Sequence, residues 1–395
     1  MNCKKITLSE CIEIVGGGTP KTSKKEYWGG EIPWLSVVDF NNDNRYVSKT
    51  EKTITQEGLD NCSSHLLGES DIILSARGTV GALAQLSKPM AFNQSCYGIR
   101  SNNLAINDYI YYLLKHSVSA LKKNSYGSVF DTITRETFSR IEILLPDLKT
   151  QKKISAILGS LDNKIELNEK INQNLEAQAQ AIFKSWFVDF EPFKNGKFVD
   201  SELGKIPEGW SVNTLSNIVS LKKGKKPKNL SETKHGNYMP YLTIDALSGG
   251  HPLFCDTEKM LLAKEKDILL VMDGASSGAI FYGLGGVVAS TIIKLEFTNT
   301  EIREIVFAFL NYKQLDLKSH TTGSAIPHLD KDRLLSYKIA LPSNEKLLRK
   351  ISGTLTYLRD NIIRNRKESR CLAQLRDTLI PKLMSGEIDV TDVAV

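Results

Sequence analysis

A chain of 395 residues, 41% hydrophobic and 24% charged, exceeds one ordinary hydrophobic core, so two domains plus connectors are expected of a soluble globular protein. No apolar run approaches membrane-spanning length, and the start MNCKKITLSECIEI lacks the apolar stretch and cleavage site of a signal peptide, so a cytoplasmic protein with no membrane partner is expected. The net charge of +6 is compatible with a polyanionic partner without establishing one, and six cysteines without a CxxC fit reduced thiols better than a disulfide or zinc framework.

Residues 1–146 mix short strands, turns and short helices. Ile12–Val15 runs into Gly16-Gly17-Gly18-Thr19-Pro20 and a turn bearing Lys21, Lys24 and Lys25. Ile32–Val37 and Asp71–Ser75 read as strands, the second ending in the tight loop Arg77-Gly78-Thr79-Val80-Gly81. Asn107–Ala120 has helical periodicity with Asn107 as its cap, and Ile141–Pro146 is a final strand stopped by proline. From Thr150 to Phe190 there is no proline and a single glycine, and Ile154, Leu158, Leu161, Ile165, Leu175, Ala179 and Ile182 follow the three-and-four spacing of a heptad seam. A connector past Glu191-Pro192 leads through LGKIPEGW, residues 203–210, into a second globular region, and Leu348–Glu387 is again helical.

The second half repeats the first. Seam residues of the later helix lie 197 positions after counterparts in the earlier one: 154 to 351, 158 to 355, 161 to 358, 165 to 362, 175 to 372 and 182 to 379. Both seams are broken by polar residues at the same place, Asn168 and Asn172 in one and Asn365 and Ser369 in the other. An antiparallel pair would bring these polar layers face to face and fix the register. In the globules, Pro33-Trp34-Leu35-Ser36 recurs as Pro240-Tyr241-Leu242-Thr243 at an offset of 207, and Asp71–Leu74 recurs as Asp267–Leu270 at 196. A net 11 extra residues therefore lie between these two strands in the first copy. Gly127-Ser128 matches Gly323-Ser324, and Leu145-Pro146 matches Leu341-Pro342. This is a tandem duplication of a globule-plus-helix unit.

No catalytic constellation emerges. There is no phosphate-binding G-x-x-x-x-G-K-[ST] loop and no H-E-x-x-H, and no metal site is expected. Glu232 and Lys234 lack the Pro-Asp half of a nuclease signature, and Asn237–Tyr241 occupies a strand-leading slot also present in the other copy. Nucleic-acid binding is better supported. Lys222, Lys223, Lys225, Lys226 and Lys228 place five lysines in seven residues on a Gly/Pro-bent loop, matching Lys21, Lys24 and Lys25 in the first copy. Such loops suit phosphates. The tips at Arg77 and Thr79, and at Asp273 and Ser276, differ in polar content on a matching frame, as two modules reading two different base sequences would. Ser128 and Ser324 complete this DNA-binding set. The opposing reading is a coiled-coil adaptor that presents two protein-interaction domains, its lysines merely solubilising.

In its duplicated globules, the LGKIPEGW lead-in and the Gly-Ser segments followed by a strand ending in Leu-Pro before each long helix, the whole chain resembles the specificity subunit of type I restriction-modification systems. The resemblance implies an α+β protein with two duplicated target recognition domains joined by two long antiparallel helices in a pseudo-twofold arrangement. The expected boundaries are 1–146 and 192–342 for the recognition domains, 147–191 and 343–387 for the spacer helices, and 388–395 for a tail. It implies a non-catalytic subunit whose domains each read half of a split site in double-stranded DNA, and whose helices set the gap. Two modification subunits with S-adenosylmethionine would dock on the helices, and a motor-nuclease subunit with ATP and magnesium would cleave; this chain would hold no cofactor. Lys184, Trp186 and Phe187, near the end of the first helix, are candidates for partner contact, or in the case of the two aromatic residues for capping the helix core. The first globule lacks an IPEGW-like lead-in, which the segment after Pro381 would supply in a quasi-circular molecule.

Overall fold

The computed structural model describes residues 3–124, 132–322 and 327–393, the side chains of 119–124 excepted. The chain divides into two compact units, Met1–Glu169 with Lys367–Val395, and Lys170–Arg366. Each contains part of both long helices, Leu148–Phe183 and Glu345–Met384.

In the first unit the strand Ile72–Ser75 lies in a five-stranded sheet between Cys96–Ser101 and Leu83–Leu86, with Ile12–Gly16 and Tyr46–Val47 at the edges. Its four residues are all buried because both faces are covered. Strand alternation sends Ile72 and Leu74 into a core with Tyr112, Ile154 and Leu158, while Ile73 faces a second core with Leu35, Phe40 and Phe92. The second unit repeats this arrangement. Ile268–Val271 is flanked by Ile292–Phe297 and Ile280–Tyr282, with Val219–Lys223 beyond. Ile268 and Leu270 face one core, Leu269 and Val271 the other. Six of the eleven extra residues of the first copy lie between Pro33 and Thr53, where Tyr46–Val47 adds a parallel edge strand on Leu83–Leu86, and five lie between Thr53 and Asp71, around the short helix Gln56–Asp60.

Each unit's outer strands also match. Cys3–Thr7 runs antiparallel to Glu142–Pro146, and Trp210–Thr214 to Lys338–Pro342, with Pro146 opposite Cys3 and Pro342 opposite Trp210. Proline ends each ladder, and a side-chain cap then starts each helix. Asp147 accepts the Thr150 amide at 2.7 Å, and Asn344 accepts that of Leu347 at 3.1 Å. The Asp147 carboxylate, held by that amide, lies below the usual range. Asn107 does not cap its own helix, Asn107–Asn124; its side chain accepts the Ser101 amide at 2.7 Å and ties the helix start to the preceding strand.

The far end of each long helix closes a core. In the second unit Phe183 stacks on Phe187 with centroids 5.2 Å apart, and Trp210 of the IPEGW segment meets Phe187, Phe190 and Phe193 edge-on at 5.1–5.5 Å. In the first unit Ile380 and Met384, each 197 residues after those phenylalanines, pack with Leu383 and Val390 into the core that holds Ile6 and Leu8. Lys153 Nζ donates to the Thr391 carbonyl at 2.6 Å. The segment after Pro381 thus packs on the first unit's core, while the strand position that Trp210 holds in the second unit is held in the first by Cys3.

The helices pair antiparallel within each unit, and the polar layers meet as the duplicated seam requires. In the first unit Asn168 Nδ2 donates to Ser369 Oγ at 3.2 Å and to Glu368 at 2.8 Å. In the second, Asn365 donates to Asn172 at 3.0 Å. Beside these layers lie buried charges that the seam pattern does not show. In the first unit Arg376 Nη1 meets Asp162 at 2.5 Å, both side chains less than a tenth exposed, and Tyr112 donates to the same carboxylate at 2.6 Å. Arg45, buried over the Tyr112 ring, reaches Asp108 at 2.6 Å and Gln85 at 2.7 Å. In the second unit Arg359, at the position equivalent to Asp162 (162 + 197), lies on the Phe307 ring at 4.1 Å, with Glu304 at 3.7 Å and Glu176 at 3.8 Å. Burial raises the Glu304 carboxyl above its ordinary pKa.

A third anchor joins two short helices of the second unit, Gln314–Ser319 and Lys331–Ser336. Asp316 accepts a bidentate fork from Arg333 at 2.7 and 3.0 Å and the Tyr337 hydroxyl. The Arg333 hydrogen bonds, then that of Tyr337, hold the Asp316 carboxyl far below the usual range near 3.9.

Two stability predictions follow from these anchors. Asp162→Ala leaves Arg376 buried without its carboxylate and should cost about 3–5 kcal/mol, whereas Asp162→Leu combined with Arg376→Leu should recover most of it. Urea denaturation reads both, and a loss for Asp162→Ala within ~0.5 kcal/mol of zero would show the pair to be solvated. Because the folded pKa of Asp316 is depressed, its contribution is complete above the unfolded value near 4 and is lost as pH falls below it. Melting temperature against pH should therefore fall less steeply on the acid side for Asp316→Asn than for the wild type.

Candidate nucleic-acid interface

Both lysine-bearing loops leave the sheet through a glycine that nothing larger can replace. A Cβ at Gly17 would stand 2.1 Å from the Asn93 carbonyl oxygen, and one at Gly224 would stand 2.2 Å from those of Val288 and Ala289. The two glycines occupy equivalent positions (17 + 207), so both loops start from the same point of the same frame. In the first unit the loop is fixed by the Gly18 amide on Phe92 at 2.9 Å and by Trp34 Nε1 on the Gly18 carbonyl at 3.0 Å. Lys21, Lys24 and Lys25 are exposed beyond it. Lys24 pairs with Glu26 at 3.6 Å and lies 5.1 Å from the Tyr27 ring centroid; the contact with Tyr27, then the charge of Glu26, raises its pKa.

In the second unit the five lysines do not share one loop. Lys222 and Lys223 end the strand Val219–Lys223, whose pairing with Ile292–Phe297 extends through Lys223 opposite Ile293. Their ammonium groups lie near Glu296 at 4.0 Å and Asp273 at 3.7 Å. Lys225, Lys226 and Lys228 follow on the loop, exposed and without an ion pair among the described residues. These three are the least neutralised cations of the set.

The two hairpin tips share one frame. Gly78 and Gly274 are equivalent and hold φ of 73° and 101°, a region open chiefly to glycine. Arg77 bridges Thr132 through the backbone, and Asp273 bridges His328 at the equivalent position (132 + 196). The side chains differ. Arg77 and Thr79 are exposed, and the Arg77 guanidinium has no ion pair among the described residues. Asp273 is three-quarters buried, receives His328 Nδ1 at 2.8 Å and has Lys223 beside it; Ser276 is half-buried. Lys223 and Asp273 are thus brought together at one tip. Sequence reasoning does not single out His328, whose only signal there is its alignment with Thr132. Ser128 and Ser324 lie outside the described residues.

Of the residues proposed for partner contact, Lys184 is exposed and pairs with Asp189 at 2.6 Å, which raises its pKa. Trp186 is half-buried against the second unit's core, and Phe187 is buried inside it. They sit on a π-helical turn, Lys184–Val188, that ends the long helix. No helix among the described residues is long and apolar enough to cross a membrane. The six cysteines are free thiols.

A family model described as the type I restriction modification DNA specificity domain matches residues 2–177 and again 207–370. The chain belongs to that family. As a specificity subunit it carries two target recognition domains, one in each copy of the duplicated unit. Along its length it is similar to the MjaIX type I restriction enzyme specificity subunit of Methanocaldococcus jannaschii, 31% identical over 98% of this chain and 93% of that one. It is also similar to the HindI specificity subunit of Haemophilus influenzae, 23% identical over 72% and 78%. A solved type I restriction-modification S subunit from M. genitalium shares the fold, with a TM-score of 0.57 at 20% identity over 97% of this chain and 96% of that one.

The lysines exposed without an ion pair thus lie apart from the polar groups of the hairpin tips. Replacing Lys225, Lys226 and Lys228 together by alanine should weaken duplex binding of the assembled complex about equally for all sequences. It should also lower the slope of log K against log salt by about 0.9 for each phosphate that is no longer neutralised. Arg77→Ala should instead relax the preferred sequence at one position. Salt-titrated binding to target and scrambled duplexes separates the two, and uniform weakening by Arg77→Ala would make it a phosphate contact.

Proposed function

We propose that this specificity subunit reads a split, asymmetric site in double-stranded DNA, each target recognition domain addressing one half. The observation that carries this reading is the pair of hairpin tips, which share one backbone frame down to the Arg77–Thr132 and Asp273–His328 bridges yet carry different polar side chains. A duplicated frame with the same chemistry at both tips would suit two identical half-sites. A duplicated frame whose tips carry a guanidinium in one copy and a carboxylate–imidazole pair in the other suits two different ones. Lys21 and Lys25 in the first copy, and Lys225, Lys226 and Lys228 in the second, supply the sequence-independent attraction to phosphate.

In this reading the chain itself catalyses nothing. The paired helices set the gap between half-sites and dock two modification subunits, which bring S-adenosylmethionine and methylate adenine. A restriction subunit with ATP and magnesium supplies translocation and cleavage. Lys184 and the exposed part of Trp186, at the end of the first helix, would be contacts for one of these partners. The adaptor alternative makes the exposed lysines solubilising charge alone and leaves the divergent tips unexplained.

Adenine-methylation mapping across the genome, with the gene intact and deleted in its native background, tests the proposal. Deletion should abolish one bipartite motif and reveal both halves at once. A methylome unchanged by deletion, with modification subunits present and co-purifying, would sink the reader function.

A further inference from the structure

The second unit's tip holds a residue that its position makes more than a neighbour of Asp273. His328 sits between two backbone segments. On one side Thr322 pairs with it in a short antiparallel ladder, Thr321–Thr322 with His328–Leu329. On the other, the Gly274 amide donates to the Pro327 carbonyl at 3.0 Å and the Leu329 amide donates to Met272 at 2.7 Å. The backbone is therefore held on both sides, directly at the reading hairpin. The ring is about half exposed. A carboxylate can only accept, so the 2.8 Å contact between Asp273 Oδ1 and His328 Nδ1 requires the proton on Nδ1. That leaves Nε2 as the ring's outward nitrogen, with no hydrogen-bond partner among the described residues.

Asp273, by contrast, is spent. One oxygen holds the imidazole and the other lies 3.7 Å from Lys223 Nζ. A carboxylate so placed has little capacity left for a base amine, and a bare one would repel the phosphates that the neighbouring lysines attract. We propose that His328, not Asp273, is the base-reading side chain of the second target recognition domain. Asp273 acts as its positioning residue, fixing tautomer and ring plane, and Lys223 neutralises that carboxylate. In the Nδ1-protonated neutral tautomer the ring offers Nε2 as an acceptor to an exocyclic amino group in the major groove, adenine N6 or cytosine N4. The inference rests on the DNA-reading function above and deepens it. The two copies solve the same task in opposite ways: the first puts its donor, Arg77, on the hairpin, and the second puts the reader on the strand facing the hairpin.

The test uses the full-length subunit with its modification partners in the native background, read by genome-wide adenine methylation. His328→Ala should reduce discrimination about tenfold or more at one base position of one half-site and leave the other half as stringent as in wild type. Asp273→Ala should relax the same position, because it releases the ring. Should His328→Ala melt at a lower temperature than wild type, His328→Leu, which keeps side-chain bulk without an acceptor, takes its place. Relaxation at different positions for Asp273→Ala and His328→Ala would mean that Asp273 reads a base itself. Uniform loss of methylation at unchanged melting temperature would make His328 a phosphate contact, and unchanged stringency would remove it from the interface. Each of these three overturns the assignment. A gene deletion that leaves the methylome unchanged would overturn the reading function beneath it, and only in that case do both fail together.

Discussion

Neither globule closes its own core. The first packs its outer strand pair under Ile380, Leu383 and Met384, which follow its own exit strand by more than half the chain; the second packs Trp210 under Phe183 and Phe187. Burying side chains of this size contributes about 1.5–3 kcal/mol each, so the helix ends are a main source of stability for the units they complete. The central strands stay buried on both faces, the strand ends stay in register, and the glycine exits stay opposite the carbonyls that exclude a side chain from them.

An apolar seam specifies poorly which helix segment lies against which, and the buried charges refine it. Asp162 and Arg359 hold equivalent positions in their helices with opposite sign, and each is met by its complement: Arg376 in the first unit, Glu304 and Glu176 in the second. Such groups are expensive to desolvate and add little net stability, but a partner lacking the complementary group would leave a charge unanswered. The Asn168–Ser369 and Asn365–Asn172 contacts add register. The two copies have therefore diverged in their electrostatics while keeping one geometry.

Much of this is readable in the sequence because a duplication supplies its own alignment. The offsets of 197, 207 and 196 place the seams, the strands and the inserted segment, and the polar break in each seam places the facing layers. What cannot be read depends on contacts between residues far apart in the chain. Asp162, Glu304, Arg359 and Arg376 look like members of solvated helix faces and prove to be buried, because the groups that answer them come from other elements. Asn107 looks like a cap and serves the preceding strand. Lys222 and Lys223 look like loop residues, but the register with Ile292–Phe297 carries the strand through them. His328 has no local signature, since its setting is made by a hairpin more than fifty residues earlier in the chain (328 − 273 = 55).

The segment that only the first copy possesses shows how such a scaffold can vary. Its strand, Tyr46–Val47, adds to the free edge of the sheet and so breaks no existing ladder. One buried arginine, Arg45, fastens it to Gln85, Asp108 and Tyr112. Length enters at a margin, held by the ladder to Leu83–Leu86, by Val47 in the core and by this one buried arginine, and the frame shared by both copies is undisturbed. The sheet can thus be widened or trimmed at its edge in one domain while the strands common to both copies keep their pairing.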